Sequence, residues 1–217
     1  VKEILEFNFP IEKLENFLES DNELRVTYEY LKRLKKVEPL LQNIGKREHF
    51  IHMFNVYITG LVFINNLSLF NSLFNDDNRR SWKIAALSHD IGYPLQAMEE
   101  EIRSFLEIYF HKGKTPKFLL SGELYSIYHF FNKKIINLID KAGRILKFCD
   151  GSISESAKFK PEDILGDLIL YNLYFRKDHA ILSALFTYKA YYDSQGSEPN
   201  IDNPLIAILL HNIYQWK

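Results

Sequence analysis

Apolar residues recur three and four positions apart along nearly the whole chain, which is the spacing of one face of an α-helix. The pattern predicts helices over residues 12–18, 22–36, 47–66, 80–90, 94–110, 124–131, 135–149, 161–175, 179–192 and 205–216. Residues 5–9 alternate instead, which predicts a short strand or an extended arm. No internal repeat or low-complexity linker interrupts the pattern, so we expect one all-α domain over residues 1–217.

Four proline and glycine residues mark breaks or close contacts in this pattern. Pro39 should end the second helix, because proline lacks a backbone N–H and clashes with the preceding turn. Gly60 lies inside a predicted helix, where it costs about 1 kcal/mol relative to alanine unless close packing requires it. Gly92 and Pro94 follow the predicted 80–90 helix, and they indicate a change of backbone direction there.

Composition narrows the class of protein. The chain has 217 residues, of which 47% are apolar and 25% charged, and this excludes disordered and collagen-like chains. A net charge of -1 gives no indication of a nucleic-acid partner or a basic membrane-binding surface. The single cysteine, Cys149, excludes an internal disulfide and a cysteine-based zinc site, and it fits a reducing compartment.

These features predict a cytoplasmic protein, since the sequence has neither a signal peptide nor an apolar run of roughly 20 residues. The aromatic content would permit a helical dimer interface, so a homo-oligomer is possible. The chain begins at Val1 and ends at Lys217, directly after an apolar helical segment. A second interpretation is therefore that the chain is a fragment of a longer polypeptide.

Histidines carry the candidate chemistry. Five of the seven lie in apolar helical segments: His49, His52, His89, His179 and His211. Each could be a core histidine bonded to a carbonyl group, but a shared metal ion would satisfy several buried rings together. Imidazole and carboxylate are the ligands that zinc, iron and manganese use. Asp90, next to His89, adds a carboxylate whose two oxygens can bridge two cations.

The segment Ser-His-Asp-Ile-Gly at 88–92 resembles the signature of the HD-domain superfamily of metal-dependent phosphohydrolases. The histidine that opens residues 52–56 is similar to the first ligand of that family. The histidines within 178–180 and 211–212 resemble two further ligands of its dinuclear subset, which includes cyclic-nucleotide phosphodiesterases, HD-GYP proteins and the myo-inositol oxygenase branch. The resemblance covers a core of about 46–212 and implies an HD-type helical bundle.

This resemblance implies one or two divalent ions, with identity open among Fe, Mn, Zn, Co, Ni and Mg, held by His52, His89, Asp90, His179 and His211. Asp90 would be the catalytic residue, because a bridging carboxylate orients metal-bound water. Arg47 and Lys177 would bind the substrate, and a guanidinium suits phosphate. Three more residues are implied as hydrogen-bond partners of ligands or as alternative ligands: His49, Asp178 and Asp150.

The sequence departs from the family pattern at two places. The family closes its site with an aspartate after the last histidine, but none of the residues after His211 is acidic. Either that aspartate lies outside this chain, or Asp150 replaces it, or the site is degenerate. Tyr93 also stands where many members have a lysine, so a contact to phosphate is missing there.

The resemblance favours a metal-dependent phosphohydrolase or phosphodiesterase, acting on a nucleotide or other small phosphoester through metal-activated water. One alternative is a di-iron oxygenase of HD type. The other is a catalytically degenerate module that binds a nucleotide for regulation. Metal content would distinguish these functions.

Overall fold

A computed structural model describes residues 11–21, 24–43, 49–67, 74–97, 101, 134, 137, 138, 141 and 179–211. Its helices are α1 (Ile11–Ser20), α2 (Arg25–Asn43), α3 (His49–Asn66), α4 (Asp76–Ser88), α5 (His179–Gln195) and α6 (Asp202–Leu210). Residues 93–97 are also helical, and these ranges contain no strand. The all-α prediction is therefore confirmed for the part of the chain that is described.

Several predicted elements lie outside those ranges. They are the arm at 5–9, the helices at 124–131 and 161–175, and most of the helices at 94–110 and 135–149. None of the described helices combines the length and the apolar character that crossing a membrane requires.

Helix α2 shows that the prediction for Pro39 is wrong. The helix continues past the exposed Pro39 to Asn43. Proline withholds one backbone hydrogen bond, but its fixed φ of about −65° is itself a helical value. The turns on either side therefore keep the helix continuous.

Helix α4 begins four residues earlier than predicted, at Asp76. The side chain of Asn75 caps it by accepting a hydrogen bond from the backbone N–H of Asn78 at 2.8 Å. Asp76 and Asp77 lie in the first turn, where negative charge is favourable. The polar residues 75–78 therefore form the cap and the first turn of α4.

Helix α4 lies at the centre of the described fold, packed against α3 and α6, while α5 packs against α6 and α2. Large side chains from these helices are fully or almost fully buried between them: Leu31, Tyr57, Ile84, Leu87, Leu185, Leu205 and Leu209. This packing brings together the C-terminal ends of α4 and α6 and the N-terminal ends of α3 and α5. The predicted ligands lie at those ends.

Close packing explains the glycine inside α3. A Cβ atom built on Gly60 would lie 2.1 Å from Cζ2 of Trp82 on α4, far inside contact distance. The indole thus occupies the space above the glycine. Gly60 therefore lies at a position where close packing requires a glycine.

We expect Gly60→Ala to lower the free energy of unfolding by ~1–3 kcal/mol, because the indole must move to admit the new methyl group. Alanine is the better helix former, so helix propensity alone predicts the opposite sign. Urea denaturation measures the difference. Adding Trp82→Phe to Gly60→Ala should recover part of the loss, and a Gly60→Ala protein as stable as the parent would contradict this packing.

Candidate metal centre

All five residues that the sequence predicts as metal ligands come together at the ends of four helices. His52 lies in the first turn of α3, and His179 is the first residue of α5. His89 and His211 follow the last residues of α4 and α6, and Asp90 comes next to His89. Their ligand atoms form two overlapping groups, each close enough to hold one metal ion, which share Asp90.

Asp90 presents one oxygen to each of two histidine pairs. Its Oδ2 lies 3.7 Å from Nε2 of His52 and 3.6 Å from Nε2 of His89, which form the first histidine pair. Its Oδ1 lies 3.4 Å from Nε2 of His179 and 3.5 Å from Nε2 of His211, the second histidine pair. The carboxylate therefore separates two similar sets of imidazole nitrogens.

The spacing within each pair fits two ligands of one ion. The Nε2 atoms are 3.3 Å apart in the first histidine pair and 3.1 Å apart in the second. Two nitrogens bound to one ion at about 2.0–2.1 Å, with a tetrahedral angle between them, lie roughly 3.3 Å apart. Each pair could therefore hold one metal ion.

Hydrogen bonds at the other ring nitrogens turn the ligand nitrogens toward Asp90. Nδ1 of His89 donates to the carbonyl oxygen of Ala86 at 2.9 Å, and Nδ1 of His211 donates to that of Ile208. Because carbonyl oxygens only accept, Nδ1 carries the hydrogen and Nε2 keeps its lone pair. Metal-binding histidines are commonly oriented in this way.

His179 is oriented by Gln96, a residue that the sequence analysis missed. Oε1 of Gln96 accepts hydrogen bonds from Nδ1 of His179 at 2.9 Å and from its backbone N–H at 3.1 Å. In His179 and His211, the neutral ring then keeps its lone pair on Nε2, and these two nitrogens face each other. A cation between them would bind both lone pairs. The only local signal for Gln96 was its place one helical turn after Gly92.

Buried charge distinguishes Asp90 from an ordinary surface carboxylate. Its side chain is 1% exposed. Burial alone would raise the pKa of this carboxyl, but hydrogen bonds outweigh burial and hold the pKa well below its ordinary value. His49 donates one of them from Nδ1, and His179 and His211 donate when Nε2 carries a proton in place of a metal ion. Asp90 is therefore ionised at neutral pH, as a metal ligand must be.

His89 is neutral at the same pH. Burial lowers the pKa of its imidazole to about 4 from 6.5, against the opposing effect of the Asp90 carboxylate. Repulsion from His211 and His52 contributes in the same direction as burial. Its Nε2 lone pair is thus available without the loss of a proton.

In metal-free protein, His89 should make the free energy of unfolding fall as the pH drops from about 6.5 to about 4. Its pKa is lowered in the folded state, so the unfolded chain takes up the proton first and acid favours unfolding. The stabilisation is complete above the higher value and lost at the lower one, a change of up to about 3 kcal/mol.

Urea denaturation in the presence of a chelator, repeated across this pH range, measures that slope. His89→Gln should flatten it, because glutamine does not titrate. The carboxyl of Asp90 has a lowered pKa in the folded state and an ordinary value of 3.8, so its contribution begins only at the acid end of this window. An equal slope in parent and variant would contradict the assignment to His89.

A close backbone contact joins the turn after Asp90 to the start of α5. The N–H of Gly92 donates to Oγ of Ser183 at 2.8 Å. A Cβ on Gly92 would lie 2.5 Å from Cβ of Leu182 and 2.7 Å from the carbonyl oxygen of His179. Glycine at this position therefore lets the two histidine pairs come within reach of one carboxylate.

The remaining predicted site residues divide into two groups. His49 lies beside Asp90, with Nδ1 3.0 Å from Oδ2. The others lie outside the described residues: Arg47, Lys177, Asp178 and Asp150. Within the described ranges, the two ligand groups contain one carboxylate, that of Asp90.

No protein-family model, curated protein or solved structure matches this chain. The fold and the site therefore define the class: an all-α protein with a His/Asp cluster that could hold metal.

Proposed function

We propose that this chain is a metal-dependent phosphohydrolase or phosphodiesterase of HD type, which acts on a nucleotide or another small phosphoester. One observation carries the proposal: Asp90 presents a separate oxygen to each of two histidine pairs. A carboxylate between two nitrogen sets suits a pair of ions that share one ligand. Two divalent ions bound there would supply a hydroxide nucleophile near neutral pH and polarise a phosphoryl oxygen.

The protein's own residues orient this chemistry. Asp90 and His89 form the buried side of the cluster, whereas His52 and His211 are 31% and 24% exposed. The substrate therefore approaches from the side on which His52 and His211 lie. Arg47 and Lys177, which precede α3 and α5 in sequence, are proposed to bind its phosphate.

The ligands favour some metals over others. Four imidazoles and one carboxylate suit zinc, iron, cobalt or nickel, whereas magnesium prefers a shell of oxygen ligands. With the histidines neutral, the single negative charge of Asp90 leaves two divalent ions with a large net positive charge. That charge supports an anionic substrate such as a phosphoester.

Elemental analysis of protein purified without chelator is the first test, and we expect close to two ions per chain. Metal-stripped protein should then regain hydrolysis of p-nitrophenyl phosphate, bis-p-nitrophenyl phosphate or a nucleotide when Zn²⁺, Mn²⁺, Co²⁺ or Fe²⁺ is restored. A chain that binds none of these ions would contradict the proposal and favour a binding module. Bound iron with oxygen consumption and no hydrolysis would favour the oxygenase alternative.

A further inference from the structure

His49 is buried beside Asp90 and belongs to neither histidine pair. Its side chain is 1% exposed, and Nδ1 lies 3.0 Å from Oδ2 of Asp90. Because an ionised carboxylate only accepts hydrogen bonds, Nδ1 donates in this contact. Its Nε2 is buried and has no hydrogen-bond partner among the described residues. The contact to the carboxylate is therefore the polar interaction that orients this ring.

Tyr93 holds the same imidazole by its face. The two rings stack with centroids 3.7 Å apart and planes inclined by 27°. The backbone N–H of Tyr93 also donates to the carbonyl oxygen of Asp90 at 3.0 Å, so both residues belong to one turn. That turn contacts His49 twice, through an aromatic ring on its face and a carboxylate at its edge.

We propose that His49, held in place by Tyr93, is a positioning residue that fixes the Asp90 carboxylate between the two histidine pairs. The inference rests on the proposed metal centre. The two oxygens of Asp90 must face different pairs, and this requires one rotation of the carboxylate about its bond to Cβ. A hydrogen bond to Oδ2 from a buried ring that stacks on Tyr93 favours that rotation before any ion binds. Bonds of this kind behind a ligand raise metal affinity by preorganisation.

This role also accounts for a tyrosine at position 93. A lysine there would place a flexible chain where the flat ring now packs against His49. The burial of His49 argues against a second role as a proton donor to substrate, since that requires contact with the substrate. Its position outside both ligand groups argues against a role as a ligand.

Two substitutions of His49 separate its hydrogen bond from its ring. His49→Phe keeps a flat ring against Tyr93 and removes the donor. His49→Asn keeps a donor near the position of Nδ1 and removes the ring. Asn55→Ala, an exposed change on the same helix, is the control. Each protein is stripped of metal, checked by circular dichroism, and titrated with Zn²⁺ and with Co²⁺.

We expect His49→Phe to weaken metal binding roughly 10–100-fold, the usual cost of losing such a hydrogen bond. Its Co²⁺ complex should also show an altered visible spectrum, because the carboxylate oxygens change position. His49→Asn should keep most of the affinity and the parent spectrum, and Asn55→Ala should match the parent in both. This rescue by a donor is not expected if His49 only fills space.

Binding by His49→Phe as tight as the parent's would overturn the inference, and so would equal losses in His49→Phe and His49→Asn. If His49→Phe does not fold, Tyr93 carries the test. Tyr93→Leu should weaken Zn²⁺ binding and Tyr93→Phe should not, and equal affinities in these two variants would overturn the proposal. A parent chain that binds no ion would overturn both this inference and the proposed function. If the parent binds two ions and the variants do not behave as expected, only the role of His49 is overturned.

Discussion

Asp90→Asn should remove both ions of the proposed metal centre together, because both histidine pairs face this one carboxylate. Asparagine has the same shape but lacks the charge, and its NH₂ group replaces one of the two ligand oxygens. The loss of affinity should exceed the roughly 10–100-fold cost of losing an outer hydrogen bond, since a shared ligand is removed. Elemental analysis and Zn²⁺ titration of the purified variant measure the effect, and the proposed hydrolysis should be lost with the ions.

Single histidine variants are compared with Asp90→Asn, because each should lose one ion and not both. His52→Ala should lose the ion of the first histidine pair, and His211→Ala that of the second, so each should keep close to one ion per chain. Asp193→Asn is the control carboxylate, since Asp193 is exposed and bonded to Lys189 on the same helix. An Asp90→Asn protein that folds and keeps either ion at parent affinity would contradict the shared-ligand geometry.

Gly92→Ala is the second large effect that we expect. The new Cβ would lie 2.7 Å from the His179 carbonyl oxygen and 2.7 Å from the Ser183 backbone nitrogen. These backbone atoms belong to α5, so the start of the helix must move away from the turn. We expect the free energy of unfolding to fall by about 3 kcal/mol, at the upper end of overpacking effects. Binding to the second histidine pair should weaken more than binding to the first.

Urea denaturation and Zn²⁺ titration of the same Gly92→Ala protein test both parts. Ser183→Ala should cause a smaller loss of stability of the same kind, because it leaves the buried N–H of Gly92 without its acceptor at a cost of about 1–3 kcal/mol. Gly196→Ala is the matched glycine control: φ there is 66°, and nothing lies within 4 Å of the new Cβ. It should cost about 1–2 kcal/mol from backbone strain alone and leave metal binding unchanged. Equal effects at the two glycines would contradict a specific role for Gly92.

Local features of the site could be predicted because they depend on neighbouring residues. His89, Asp90 and Gly92 are adjacent in sequence, and the end of a helix beside a glycine is visible in the residues themselves. The helical periodicity likewise depends on short spacings, and it predicted the core of each helix described here. Its errors include Pro39, where the helix continues, and the starts of α4 and α6, which begin four and three residues before the predicted positions.

The assignment of His52, His179 and His211 to one site required more than periodicity. Any of these histidines could have been a core residue bonded to a carbonyl, and the HD resemblance supplied the expectation that they meet. The structure brings them together through the packing of α3, α5 and α6 around α4. That packing depends on contacts between residues far apart in sequence, which no local pattern records.

The orientation of each polar group is decided by tertiary contacts alone. Gln96 fixes His179, and His49 bonds to Asp90 under the ring of Tyr93. Each of these contacts depends on distances of about 3–4 Å between side chains on different segments, so a shift of one ångström would remove it. The residue types and the helices that carry the site follow from local sequence, whereas the division of one carboxylate between two histidine pairs exists only once four helix ends have met.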